Sequence, residues 1–201
     1  LYVIGILRII QQSKDHVFKV ESGIHQQRYQ IIIINERNKQ MILGYSIYEL
    51  LWLFFIYAFF GWCIEVVFCG LNEGHFINRG FLNGPVCPIY GVGGVIVVLC
   101  LTPIKDNLFL LFVGSALLTS ILELITGFAL DKIFHARWWD YTDMPFNIGG
   151  YICLKFSIYW GFVCIALMKG IHPVILGFVR FIPHMLGLVA VVFFAAVFVA
   201  D

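Results

Sequence analysis

The sequence predicts an all-α, polytopic helical membrane protein with about five transmembrane helices and a Pro/Gly-broken start to the second. Three observations predict it. Of the 201 residues, 61% are hydrophobic and 12% are charged, with a mean hydropathy of +0.90. Soluble domains run at about 45–50% apolar and about 25% charged, and a chain this short has too little interior to hide the excess from water. Five apolar runs succeed one another after residue 41, most of them near the length a helix needs to cross a bilayer. Finally, isolated charges interrupt three of those runs. A charge in hydrocarbon costs about 2.5–3.5 kcal/mol or more, so it persists only when paired, hydrated or used.

Residues 1–40 stand apart. They carry Arg8, Lys14, Lys19, Arg28, Arg37 and Lys39 and lack an apolar run long enough to span. Their basic, apolar and small residues are not in signal-peptide order. We expect a non-family N-terminal extension, translated in frame from upstream of a start at Met41, ahead of a helical transmembrane domain over 41–201. A basic, weakly structured arm is the alternative.

The spans are expected at about 46–69, 86–102, 107–130, 150–169 and 184–200. Pro85 and Pro88 interrupt the approach to the second span, and glycines at 80, 84, 91, 93 and 94 permit close backbone approach. Irregular backbone at membrane depth is tolerated only inside protein or beside a watery cavity. A re-entrant or unwound segment is one reading and an ordinary Pro/Gly turn the other. Counting Lys and Arg by face puts nine on the side of the N-terminus, including the six in 1–40 with Lys105, Lys169 and Arg180, against Arg79, Lys132 and Arg137 opposite. The positive-inside rule makes the first side cytoplasmic. Without residues 1–40 the count is three against three and the rule is silent.

Glu65, Glu123 and Lys155 interrupt spans one, three and four. By helix rise they lie roughly 6, 10 and 7–8 Å inside the same face. Ala58, Gly61 and Glu65 share a face, as do Thr119, Glu123, Thr126 and Gly127, and Tyr151, Lys155 and Tyr159. Small and polar stripes of this kind are expected to face the bundle interior. The three charges are either a buried network holding helices in register or a site for substrate or ion. Arg79 and Asn83 in the Pro/Gly segment, and Arg137 and Asp140 in the connection after span three, are candidates for the same site. In that connection Trp138, Trp139 and Tyr141 equally suit an aromatic anchor at the headgroups. Glu49 and the histidines at 75, 172 and 184 read as interfacial residues. The six cysteines contain no C-x-x-C pair and read as packing residues.

From Tyr45 to about Pro173 the chain resembles the ABC-transporter type IV permease family, also called CmpB-like, of bacterial multi-span membrane proteins. The segments that carry the resemblance are Gly61 to Val66, Asn78 to Gly91, Glu123 to Gly127, His135 to Tyr141 and Gly150 to Ser157. The resemblance implies membrane transport and a start near Met41.

The leading expectation is a non-enzymatic, permease-like subunit in the cell membrane. It would sit in the lipid bilayer as a homo-oligomer and need neither cofactor nor nucleic acid. These 201 residues contain no G-x-x-x-x-G-K-[ST] phosphate loop, so a separate ATPase subunit is expected. Two alternatives remain open. One is an intramembrane enzyme acting on lipid or isoprenoid head groups, with a glutamate as base and Arg79 and Arg137 on phosphate. The other is a non-transporting scaffold or sensor.

Overall fold

The computed structural model describes residues 41–75 and 83–201. The chain divides after Gly44 into two compact units, and the second, Tyr45–Asp201, holds the helices described here. The expectations for residues 1–40, and the position of Arg79, lie outside the described residues.

Among the described residues of this unit there are five helices: α1 (Ile47–Glu73), α2 (Pro88–Leu101), α3 (Leu108–Phe134), α4 (Leu154–Phe181) and α5 (His184–Ala200). Of these, α1, α3 and α4 are long and apolar enough to cross a membrane, while α2 and α5 are shorter apolar helices. Local chemistry sets the ends. Ser46 and Glu49 close a capping box at the start of α1, and Gly74 ends it in the left-handed region at φ 75°. Asn107 caps α3 through a 3.0 Å bond from the Leu110 amide. Pro88 sits in the first turn of α2, where its missing N–H costs nothing.

The fourth span runs to Phe181 rather than ending near residue 169. Pro173 reads as a break, but the chain absorbs it. Residues Leu167–Ile171 form a π-turn, and the His172 amide bonds the Leu167 carbonyl, five residues back. The extra residue in this turn rotates the remainder of the helix by about 100° and turns His172 inward, where it is 4% exposed. Lys169 and Arg180, expected in a loop, therefore lie on α4. Lys169 pairs with Asp106 at 3.2 Å, and Arg180 bonds Glu49 at 2.7 Å.

Helix α2 packs antiparallel on α1 through a line of glycines. Gly61 lies under the Tyr90 ring, Gly91 against Phe54 and Gly94 under Tyr57. The Cys87 amide, just ahead of α2, donates to the Ala58 carbonyl at 2.9 Å. Ala58 is eleven residues into α1, about 17 Å from its start and about 23 Å from its end. The second helix thus begins partway along the first, and residues 83–87 form an irregular, bent segment at that level. Helix α5 stops at the same level. Its Phe194 and Phe198 pack edge-on or tilted against Trp52, Phe54 and Phe55, and Asp201 Oδ2 accepts from the Gly84 amide at 2.9 Å. Helices α3 and α4 pack side by side, with Gly161 against Phe112 and a Ser120–Ser157 hydrogen bond of 2.7 Å between them. Leu53, Val98, Leu111 and Val179 are fully buried at the centre.

A methyl group at Gly61 would overlap the Tyr90 ring, whereas Gly93 faces open space. Gly61→Ala is therefore expected to destabilise the protein by about 1–3 kcal/mol through overpacking, and Gly93→Ala to leave stability unchanged or slightly raised. Thermal unfolding of both variants in detergent micelles checks the contrast.

Candidate functional site

The start of α2 faces a cluster of polar side chains drawn from three helices and one loop. The Tyr90 hydroxyl, in the first turn of α2, donates to Glu65 Oε1 on α1 at 2.6 Å. Tyr90 also interacts electrostatically with Glu123 on α3 and with the Cys87 thiol. On its other side Glu123 Oε1 accepts from the Trp160 indole N–H on α4 at 2.8 Å. Its second oxygen, Oε2, is buried and has no hydrogen-bond partner among the described residues.

The loop between α3 and α4 reaches the same place. Tyr141 is half-buried, stacked on Phe156 at 4.6 Å, and its amide bonds the Gly150 carbonyl at 2.8 Å. Burial, and after it Glu123, Cys153 and Glu65, push the Tyr141 phenol well above its ordinary range. Tyr90 thus holds Glu65, and Trp160 holds Glu123. At the two carboxylates themselves, neutral O–H and N–H groups supply the hydrogen bonds. This avoids taking a second charge out of water.

Arg137 and Asp140 serve a different structure. The Arg137 guanidinium lies 3.7 Å from Asp131 and 3.4 Å from Asp140, and stacks 4.9 Å above the Tyr151 ring. Tyr151 bonds Asp131 through its hydroxyl at 2.6 Å and accepts from the Trp139 indole at its carbonyl. Asp140 accepts from the Thr142 amide and hydroxyl, which together with Arg137 hold its carboxyl below the usual range. Gly150, at φ 76°, has no side chain because a Cβ would strike Asp140, Thr142 and Arg137. Together these contacts pin the loop and its short strand pair, Asn147–Ile148 with Ile152–Cys153, at the end of α3.

Lys155 is turned away as well. It is exposed, with its ammonium 5.9 Å from the Tyr159 ring, and Tyr159 is 51% exposed. The expected inward stripe of Tyr151, Lys155 and Tyr159 fails because Tyr151 precedes the helix and the other two face outward. Among the described residues no ion pair joins Lys155 to either glutamate. Asn83 is exposed on the segment that leads to Gly84. The other two stripes do face inward: Ala58, Gly61, Thr119 and Gly127 are buried, and Glu65 and Glu123 are partly so.

Sequence reasoning missed Tyr90 and Trp160, because an aromatic residue in an apolar run reads as core, and it gave Tyr141 an anchoring role at the headgroups. It also placed His172 at an interface, where the structure buries it. A signal for Tyr90 was present in the glycines at 91 and 94, which mark α2 as the helix that comes closest to another backbone. Among the described residues, no three His, Cys, Asp or Glu side chains gather as metal ligands.

Five apolar helices, three of them long enough to cross a bilayer, around an acidic and aromatic cluster define a helical membrane protein. Residues 52–201 match the family described as "Putative ABC-transporter type IV", and the chain belongs to that family. No curated protein and no solved structure matches it.

The Trp160–Glu123 bond gives a direct test of the cluster. Trp160→Phe leaves a second buried carboxylate oxygen unpaired and is expected to cost about 1–3 kcal/mol. In a Glu123→Leu background the same change should cost nearly nothing. Chemical unfolding of the single and double variants measures the coupling.

Proposed function

We propose that this chain is the multi-pass, cell-membrane subunit of a transport system, itself non-enzymatic and worked by a separate ATPase. The cluster of Glu65, Glu123, Tyr90, Tyr141 and Trp160 is its site for the transported species. One observation carries the reading: the Glu65 carboxylate accepts from the Tyr90 hydroxyl where α2 begins, partway along α1, and a second carboxylate, Glu123 on α3, has a buried oxygen with no hydrogen-bond partner among the described residues. Helices that start or stop at such depth place backbone dipoles and polar side chains where a solute can be held away from both surfaces. Ionisable groups inside membrane-spanning helices mark substrate and ion pathways. The acidic and hydrogen-bonding character of the cluster suits a cation or a solute rich in N–H and O–H donors. The positive end of the α2 dipole helps hold the carboxylates when the site is empty.

Family membership supports the transport role. The binding of Arg137 by Asp131 and Asp140 supports the non-enzymatic one, since that guanidinium is already occupied. We place contact with a second copy at the outward face of α4 around Lys155, level with Glu123 to within about one turn by the Ser120–Ser157 pairing. A charged side chain at that depth needs a partner or must reach for the headgroups.

The test is purification of the tagged full chain from native membranes in mild detergent. A phosphate-loop ATPase is expected in fixed proportion to it, surviving gel filtration. Recovery of the chain as a stable single component would contradict the proposal.

A further inference from the structure

A second buried polar group lies on the α1–α2 seam, toward the end where α1 begins. His172 is 4% exposed, with Nε2 2.9 Å from the Tyr45 hydroxyl and Nδ1 2.7 Å from that of Tyr57. The direction of each bond is fixed by Thr102, the last group in the series. Thr102 Oγ1 donates to the Val98 carbonyl at 2.6 Å, so its proton is committed. Tyr45, 3.3 Å from that oxygen, is therefore the donor to it. The Tyr45 oxygen then accepts from His172 Nε2–H. In the neutral ring Nδ1 carries no proton and accepts from the Tyr57 O–H. Three side chains thus form one directed hydrogen-bonded line. The charged residues that interact with His172 are Lys105 and Arg180, the latter bonded to Glu49.

Tyr57 lies over Gly94 of α2, and Tyr90 lies over Gly61 of α1. Side chains lean toward the N-terminus of their own helix, and the two helices are antiparallel. The two phenols therefore point in opposite directions along the seam. Tyr57 reaches His172 on one side, and Tyr90 reaches Glu65 on the other.

We propose that Tyr45–His172–Tyr57 and Tyr90–Glu65 are the two arms of a proton path through the α1–α2 seam, so that the protein carries protons across the membrane. The proposal rests on the transport reading and names the ion that reading leaves open. Imidazole, phenol and carboxyl groups in series are the chemistry of intramembrane proton relays. In the first arm, a proton reaching the Tyr57 oxygen sends that residue's own proton to Nδ1. His172 passes the Nε2 proton to the Tyr45 oxygen, and the Tyr45 hydroxyl, turning away from Thr102 Oγ1, gives its own proton to water at the adjacent face. Each group ends with the proton count it began with, and rotation of the hydroxyls and a tautomer change reset the line. In the second arm, a proton from the opposite face protonates Glu65, the Tyr90 oxygen turns to take that proton from the carboxyl, and Tyr90 hands its own proton to the Tyr57 oxygen, which leaves Glu65 ionised again. The two rings and their glycines separate the arms, so passage requires Tyr57 and Tyr90 to shift against Gly94 and Gly61.

The test uses the tagged full chain, purified together with whatever stays bound to it, in liposomes holding a trapped pH-sensitive dye, with a potassium diffusion potential imposed by valinomycin. Wild-type vesicles are expected to acidify faster than protein-free ones. His172→Gln keeps a donor and an acceptor for the two tyrosines but cannot relay a proton. It and Glu65→Gln are both expected to fall to the protein-free rate. Should His172→Gln fail to give monodisperse protein, Tyr57→Phe removes the relay hydroxyl and keeps the ring, with the same loss expected. Wild-type acidification no faster than in protein-free vesicles overturns the inference, as does undiminished flux in the relay variants. Absent flux alongside an intact ATPase complex overturns this inference alone.

Discussion

A single backbone hydrogen bond organises the molecule: the Cys87 amide on the Ala58 carbonyl. Pro85 and Pro88 keep residues 83–87 out of a helix, yet this stretch lies alongside the middle of α1. An unpaired peptide group there, away from water, costs free energy comparable to a lost hydrogen bond or more. The Val86 amide turns back to Gly84, Gly84 bonds Asp201 and Cys87 bonds Ala58. With that segment anchored, the level of α2 against α1 is determined. Tyr90 must fall on Gly61, and its hydroxyl must fall beside Glu65.

Charge is sorted by place along the helices. The ion pairs lie toward the helix ends: Arg180 with Glu49, Lys169 with Asp106, and Arg137 with Asp131 and Asp140. Away from the ends, acids and the imidazole meet phenols and an indole. Neutral partners satisfy hydrogen bonds without the desolvation penalty of a second ion. They also leave the acids free to change partner or proton state. A site held by full ion pairs would be more rigid and harder to traverse.

Hydropathy made the five helices legible, because a run of apolar residues near the span of a bilayer has few other readings. Their ends were less so. The fourth was expected to end near residue 169, and a π-turn, which leaves no mark in hydropathy, carries the helix past Pro173 to Phe181. The inward faces of α1 and α3 were legible from small residues at helical spacing. The face of α4 was not, since Lys155 and Tyr159 give the same pattern whether they face inward or outward. The neutral partners were hidden for a chemical reason. A tyrosine or tryptophan contributes to hydrophobic packing with its ring and to a polar site with one atom. Sequence registers the first role and is blind to the second. His172 shows the converse, a polar residue whose burial depends on a one-residue register shift.

The account depends on α2 beginning midway along α1 rather than at its end. The most direct measurement is a cysteine cross-link. With the other cysteines replaced, oxidation should join a cysteine introduced at Ala58 to the native Cys87. A matched protein keeping only Cys69 and Cys87 should not cross-link. Cross-linking of Cys87 to Cys69 and not to position 58 would place the start of α2 at the far end of α1 and contradict the account.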